Sequence, residues 1–183
     1  MENGSLAQNL NSSILDWDKR FDIALGTAKG LAYLHEECLE WVLHCDVKPH
    51  NILLDCDYNP KVADFGLCKL LDRDGTRNLE FTRARGTRGR SATSSNQSEG
   101  SEGRLDSWVR EKIMSTAGLN DCVEEIIDSL VDGTYNKKRM EILIEVALQC
   151  CEEDKDARPT MSQVVDMLLH VEEDDYYEGN GIK

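Results

Sequence analysis

The run His44-Cys45-Asp46-Val47-Lys48-Pro49-His50-Asn51 gathers polar side chains in a short stretch, and Asp64-Phe65-Gly66 follows it. Asp46 supplies a carboxylate that can accept the proton of an attacking hydroxyl. Lys48 can neutralise charge on a transferred phosphoryl group. Asn51 and Asp64 offer hard oxygen ligands, which suit Mg²⁺. Together they have the types and order that phosphoryl transfer to a hydroxyl requires. Taken singly each has a plainer use: Asp46 in a turn, Asn51 as a cap, Lys48 as a solvated charge.

Short apolar runs surround this segment. Trp41-Val42-Leu43, Ile52-Leu53-Leu54 and Lys61-Val62-Ala63 are strand-like, and Asp55-Cys56-Asp57-Tyr58-Asn59-Pro60 has strong turn chemistry between the last two. Residues 46–51 therefore lie on a loop entered from one short strand and left by another. A hairpin returns Asp64 towards Asn51, so that both could hold one cation. Upstream, Asp16 is placed to cap a helix from Trp17 to about Glu36, with apolar residues at Trp17, Phe21, Ala24, Ala28, Leu31 and Leu34. Gly26 and Gly30 weaken that helix but allow another element to approach closely.

The 183 residues suffice for one domain or part of a larger one. A formal charge of −14 argues against nucleic acid or an anionic membrane surface as a partner. Acidic clusters such as Glu152-Glu153-Asp154 read as solvated faces. Seven cysteines without a C-x-x-C pair point to a reducing compartment, with Cys150 and Cys151 expected to pack in a helix. No apolar run approaches a membrane span and no signal peptide is visible, so the expectation is a soluble, cytosolic chain without direct membrane insertion.

The chain divides at residues 91–103, a Ser/Gly/Glu-rich stretch with almost no apolar side chain to bury, which reads as a flexible linker. Residues 1–90 carry the loop and strands. Residues 104–172 read as helices: one around Leu105, Trp108, Val109 and Ile113, one around Val123, Ile126, Ile127 and Leu130, and a buried one from Met140 to Cys151. A last helix starts at Pro159-Thr160-Met161-Ser162-Gln163, where Thr160 and Gln163 have capping-box spacing. Residues 173–183 read as an acidic disordered tail. The fold class is mainly α with short β-hairpins (α+β).

In order along the chain, Met1 to Leu6, Gly30-Leu31-Ala32-Tyr33-Leu34-His35-Glu36-Glu37-Cys38, the run from His44 to Asp55, Lys61 to Leu67, Arg85-Gly86-Thr87-Arg88-Gly89 and Asp156-Ala157-Arg158-Pro159-Thr160-Met161 form a set. This set resembles the C-lobe of plant receptor-like serine/threonine protein kinases, of the S-domain lectin receptor kinase type. The resemblance implies a partial protein-kinase-like C-lobe with ATP and Mg as cofactors. It also implies protein substrates or a full-length receptor kinase as partners, and relatives that are plasma-membrane receptors with a cytoplasmic kinase domain. By resemblance Asp46 is the catalytic base, Lys48 contacts the γ-phosphate, Asn51 and Asp64 are the Mg²⁺ ligands, and Thr87 lines the substrate site.

The departures matter equally. Most kinases carry Arg where Cys45 stands, and a thiol cannot make that bidentate contact to a phosphorylated residue. The resemblance therefore implies a non-RD kinase, with Thr76 and Thr82 as candidate phospho-acceptors that residue 45 cannot clamp. Cys45 is also expected to pack as a small apolar residue. The 183 residues contain no Gly-x-Gly-x-x-Gly and no Val-Ala-x-Lys before Asp46, so the N-lobe is lacking. After Gly89 neither Ala-Pro-Glu nor the central helix of the lobe follows, which leaves Arg158 without the glutamate it would pair with. The sequence thus reads as a kinase C-lobe fragment with little activity alone. The alternatives are a pseudokinase-like module that docks on other kinases or their substrates through its helices, and a regulatory phospho-acceptor using the Ser91–Ser101 linker.

Overall fold

The computed structural model describes residues 1–71, 105–115, 123, 126 and 135–179. The expected linker and the positions Thr76, Thr82 and Thr87 lie outside the described residues. A short helix α1, Leu6–Asn9, opens the chain, and the reciprocal Ser5–Gln8 capping box starts it. Helix α2, Trp17–Ala32, begins where expected: the Asp16 carboxylate accepts from the Lys19 amide at 2.9 Å. A π-helical turn, Tyr33–Glu37, carries it on to the point where the sequence pattern ends.

Strands β1 (Trp41–Leu43), β2 (Ile52–Leu54) and β3 (Pro60–Val62) match the three apolar runs. Strands β2 and β3 pair antiparallel, with Ile52 opposite Val62 and Leu54 opposite Pro60. The Asp55 carboxylate builds the turn between them by accepting from the amides of Asp57 and Asn59 at 3.0 and 2.8 Å. Strand β1 pairs instead with β4, Lys69–Leu71, a partner the sequence pattern does not single out. Beyond them come α3 (Leu105–Ser115), α4 (Lys137–Cys150) and α5 (Met161–Gly179).

Helix α2 is the centre of the fold because it buries two faces. Trp17, Phe21, Leu25 and Ala28 pack with Val123, with Met140 and Val146 of α4, and with Val164 and Leu168 of α5. Its Ile23 packs with Leu15, Ile52 and Leu54, which anchors the β2–β3 hairpin to the other side. Residues on both sides of the 91–103 segment therefore share one core. Each large aliphatic or phenylalanine side chain buried there stabilises the fold by roughly 1.5–3 kcal/mol relative to exposure. Among the described residues the result is mainly helical with two small antiparallel sheets, as the sequence pattern implies.

Two expectations are corrected. Helix α4 is not buried all round: Met140 and Val146 are inside, while Glu145, Ala147 and Cys150 are exposed. Its polar residues Glu141, Glu145 and Gln149 recur every four positions and hold one flank in water. Cys150 and Cys151 are both exposed free thiols rather than packing residues. Helix α5 runs from Met161 to Gly179. Arg158, left without the glutamate it would pair with, is exposed, and its Nε donates instead to the Glu152 carbonyl at 2.7 Å.

Candidate active site

Strand β1 delivers His44 into the interior, where it is 1 % exposed. The Asp46 amide donates to His44 Nδ1 at 3.3 Å, which makes Nδ1 the acceptor and leaves the proton on Nε2. Nε2 then donates to the Ala63 carbonyl at 2.8 Å. The Phe65 ring meets the imidazole edge-on, with centroids 5.2 Å apart. One histidine thus ties the Asp46 loop to the end of β3. Its place in the polar run was noted from sequence, but its bridging role was missed. The available signal was a polar residue directly continuing an apolar strand.

The turn at Cys45 is left-handed, with φ 62°. Cys45 is exposed and its thiol contacts the Leu43 carbonyl at 3.3 Å, which corrects the expectation that it packs as an apolar residue. This backbone conformation carries the Asp46 carboxylate to the inner side of the loop, where it is buried. A 3₁₀ turn over Pro49–Asn51 follows, started by proline at its first position and closed by the Asn51 amide on the Lys48 carbonyl at 2.9 Å.

That turn brings three predicted residues together. Lys48 Nζ donates to Asp46 Oδ2 at 2.7 Å, and Asn51 Nδ2 donates to the same oxygen and to the Asp46 carbonyl, both at 3.0 Å. The Lys48 hydrogen bond, with help from Asn51, holds the Asp46 carboxyl below the usual carboxylate range against the opposing effect of burial. Among the described residues nothing donates to Asp46 Oδ1. Oδ2, by contrast, has two donors.

The Asn51 amide nitrogen is directed at Asp46, and among the described residues nothing donates to its carboxamide oxygen. Asn51 then enters β2, and the Ala63 amide donates to its carbonyl at 2.8 Å. Asp64 is the next residue, left-handed at φ 65°, with its exposed carboxylate accepting from the Gly66 amide at 3.4 Å. The hairpin thus returns Asp64 to the Asn51 end, as the turn chemistry predicts. Two hard oxygens suit Mg²⁺, which is commonly held by one or two carboxylates plus substrate phosphates. Lys48, Asn51 and Asp64 are the described residues that could hold a Mg-nucleotide. A second group, Asp55, Cys56 and Asp57, also clusters potential ligands. Its Asp55 carboxylate is already spent on the turn, however, and backbone hydrogen bonding from Asn59 holds it below the usual range.

The protein kinase domain family matches residues 1–169 of the chain. The chain belongs to the protein kinase family. Among its relatives this kinase segment is 41% identical over 211 residues to the putative receptor protein kinase ZmPK1 of Zea mays, a match covering 94% of the chain and 26% of that protein. It is 35% identical to the G-type lectin S-receptor-like serine/threonine-protein kinase SD2-2 of Arabidopsis thaliana, covering 94% and 26%. It is 42% identical to SD2-5 of the same plant, covering 85% and 22%. The chain spans about a quarter of the length of these relatives. The alignment to the Zea mays protein is longer than the 183-residue chain, so that relative carries residues without a counterpart here. Among the described residues no helix is long and apolar enough to cross a membrane.

Proposed function

We propose that these residues are the catalytic-loop lobe of a receptor-like serine/threonine protein kinase, built for ATP-dependent phosphoryl transfer to protein hydroxyls, and that the 183 residues alone transfer phosphate very slowly or not at all. The Asp46–Lys48–Asn51 unit, joined through Ala63 to Asp64, carries the first half of this reading. Mg-ATP, when bound, supplies the γ-phosphoryl group and the ADP leaving group. Asp46 Oδ1 accepts the proton of the attacking serine or threonine. Lys48 is within reach to trade its ion pair with Asp46 for a phosphate oxygen. Asn51 and Asp64 are the residues that would hold the cation. The names of the relatives support the receptor-like setting, and Cys45 in place of arginine supports the non-RD reading.

The second half rests on magnitudes. One preorganised electrostatic group is worth about 10²–10³ in rate. The 183 residues contain no glycine-rich phosphate loop, no Val-Ala-x-Lys before Asp46 and no Ala-Pro-Glu after Gly89. The test is Mg-ATP-dependent labelling of a generic serine substrate by the 183-residue protein and by Asp46→Asn. Incorporation at the level of the Asp46→Asn blank is expected. Robust incorporation that Asp46→Asn abolishes would overturn the claim of inactivity while supporting the role of the base. A non-catalytic docking module is the second reading, favoured by the exposed Trp108 and Met114 on α3. Nucleotide-independent capture of a full-length receptor kinase by the chain, lost on Trp108→Ala, would support it.

A further inference from the structure

The π-helical turn after α2 has two neighbours with different consequences. On one side its Glu36 carboxylate reaches the first turn of α5. Ser162 Oγ donates to Glu36 Oε2 at 2.5 Å, and the Ser162 amide donates to Oε1 at 3.1 Å. Helix α5 already has its own reciprocal cap, in which the Thr160 amide meets Gln163 Oε1 at 2.8 Å and the Gln163 amide meets Thr160 Oγ1 at 3.2 Å. Glu36 therefore adds a further acceptor, and a negative charge, at the positive end of a long helix.

On its other side the turn packs against β1, the strand that delivers His44 and Asp46. His35 lies in the same turn and is half-buried; burial lowers its pKa, Glu36 pulls it up and His44 pushes it down. A π-helical turn is also a rare geometry, often found at functional sites. Ser162, Glu36, the turn, β1, His44 and Asp46 thus form a continuous physical path from α5 to the base.

We propose that the Glu36–Ser162 contact is a latch coupling α5 to the catalytic loop, opened when a serine kinase phosphorylates Ser162. In that step Ser162 Oγ attacks the γ-phosphorus of ATP held by the modifying kinase. The hydroxyl proton passes to that enzyme's base, the bond to the β-phosphate oxygen breaks, and ADP leaves. The product carries about −1.5 to −2 charges where a hydroxyl donor stood. Glu36 then loses the Oγ donor and meets a like charge. The phosphate is well placed to take the Ser162 amide for itself, as anions do at helix N-termini. The turn is released from α5 while the capping box of α5 remains.

Hydrogen exchange of the 183-residue chain tests this without relying on kinase activity. Peptides covering residues 33–46 are compared in wild type, Ser162→Asp, Glu36→Gln and the double variant, with the β2–β3 hairpin as internal reference. The latch predicts exchange about tenfold faster over 33–46 in Ser162→Asp, with the hairpin unchanged. It also predicts that Ser162→Asp adds less than about twofold in the Glu36→Gln background, because the repelling charge is gone. Unchanged exchange over 33–46, equal acceleration of the hairpin, or a Ser162→Asp effect that persists in full without Glu36 would each overturn it.

Discussion

Gly26 of α2 lies so close to Pro60 of β3 that a Cβ at residue 26 would come within 2.6 Å of Pro60 Cγ and 3.1 Å of Cδ. The approach sets how deeply the β2–β3 hairpin seats on α2, and the hairpin carries Asn51 and Asp64 side by side at its open end. Gly26→Ala should gain about 1 kcal/mol in helix propensity but lose roughly 1–3 kcal/mol to overpacking, because the proline ring has little freedom to move. Net destabilisation is expected, read as a lower thermal midpoint. Gly30→Ala is the control: its Cβ would sit 3.4 Å from Val62 Cγ2, an ordinary contact, so its midpoint should hold or rise.

Asn51 has a prediction of the opposite kind, resting on donors rather than space. Its amide nitrogen serves two oxygens of Asp46 in a buried setting. Asn51→Ala should destabilise by about 1–3 kcal/mol, the cost of leaving a buried acceptor unpaired. Asn51→Asp keeps an oxygen for the cation but removes both donors and adds a like charge. It should raise the Asp46 pKa, seen by carboxyl NMR titration, even where Mg²⁺ affinity survives.

These contacts show how far the sequence could be read. Periodicity located α2 and the three short strands, and Asp16 and Thr160 announced their helices because capping is local chemistry. The glycines of α2 signalled a close approach without naming Pro60 as the partner. Strand β4 escaped because Lys69-Leu70-Leu71 is too short to show a period, and only β1 gives it a partner. His44 escaped for a related reason: a bridging role depends on Ala63, nineteen residues away, and spacing along a chain does not report it. The buried reading of α4 failed because an apolar count ignores the polar flank that keeps one side of a helix in water.

Lys48 should govern the acid side of stability. Its hydrogen bond is the largest influence holding Asp46 below the ordinary range. Because the folded-state pKa is depressed, the pair stabilises the fold above about pH 4, the unfolded value, and that contribution fades as pH falls through the folded pKa. Lys48→Met removes the first cause and leaves the upward push of burial opposed by the smaller influence of Asn51. Urea midpoints of wild type and Lys48→Met should therefore differ most near neutral pH and converge in acid. Midpoints separated by the same amount at every pH would refute the coupling.

His44 makes the sharpest test of how the loop and hairpin are joined. Phenylalanine keeps much of its shape and its ring contact with Phe65, yet offers nothing to either hydrogen-bond partner. His44→Phe strands the Asp46 amide and the Ala63 carbonyl, each at a cost of about 1–3 kcal/mol if no water reaches it. The expected result is a lower urea midpoint with an unchanged slope, since the surface buried on folding is nearly the same. The loss should also be local. Amide exchange should quicken at Asp46 and along β3 while the α2–α5 core, which does not depend on this histidine, keeps its protection. Uniform loss of protection across both regions would mean that His44 supports the whole fold rather than the junction between the Asp46 loop and the β2–β3 hairpin.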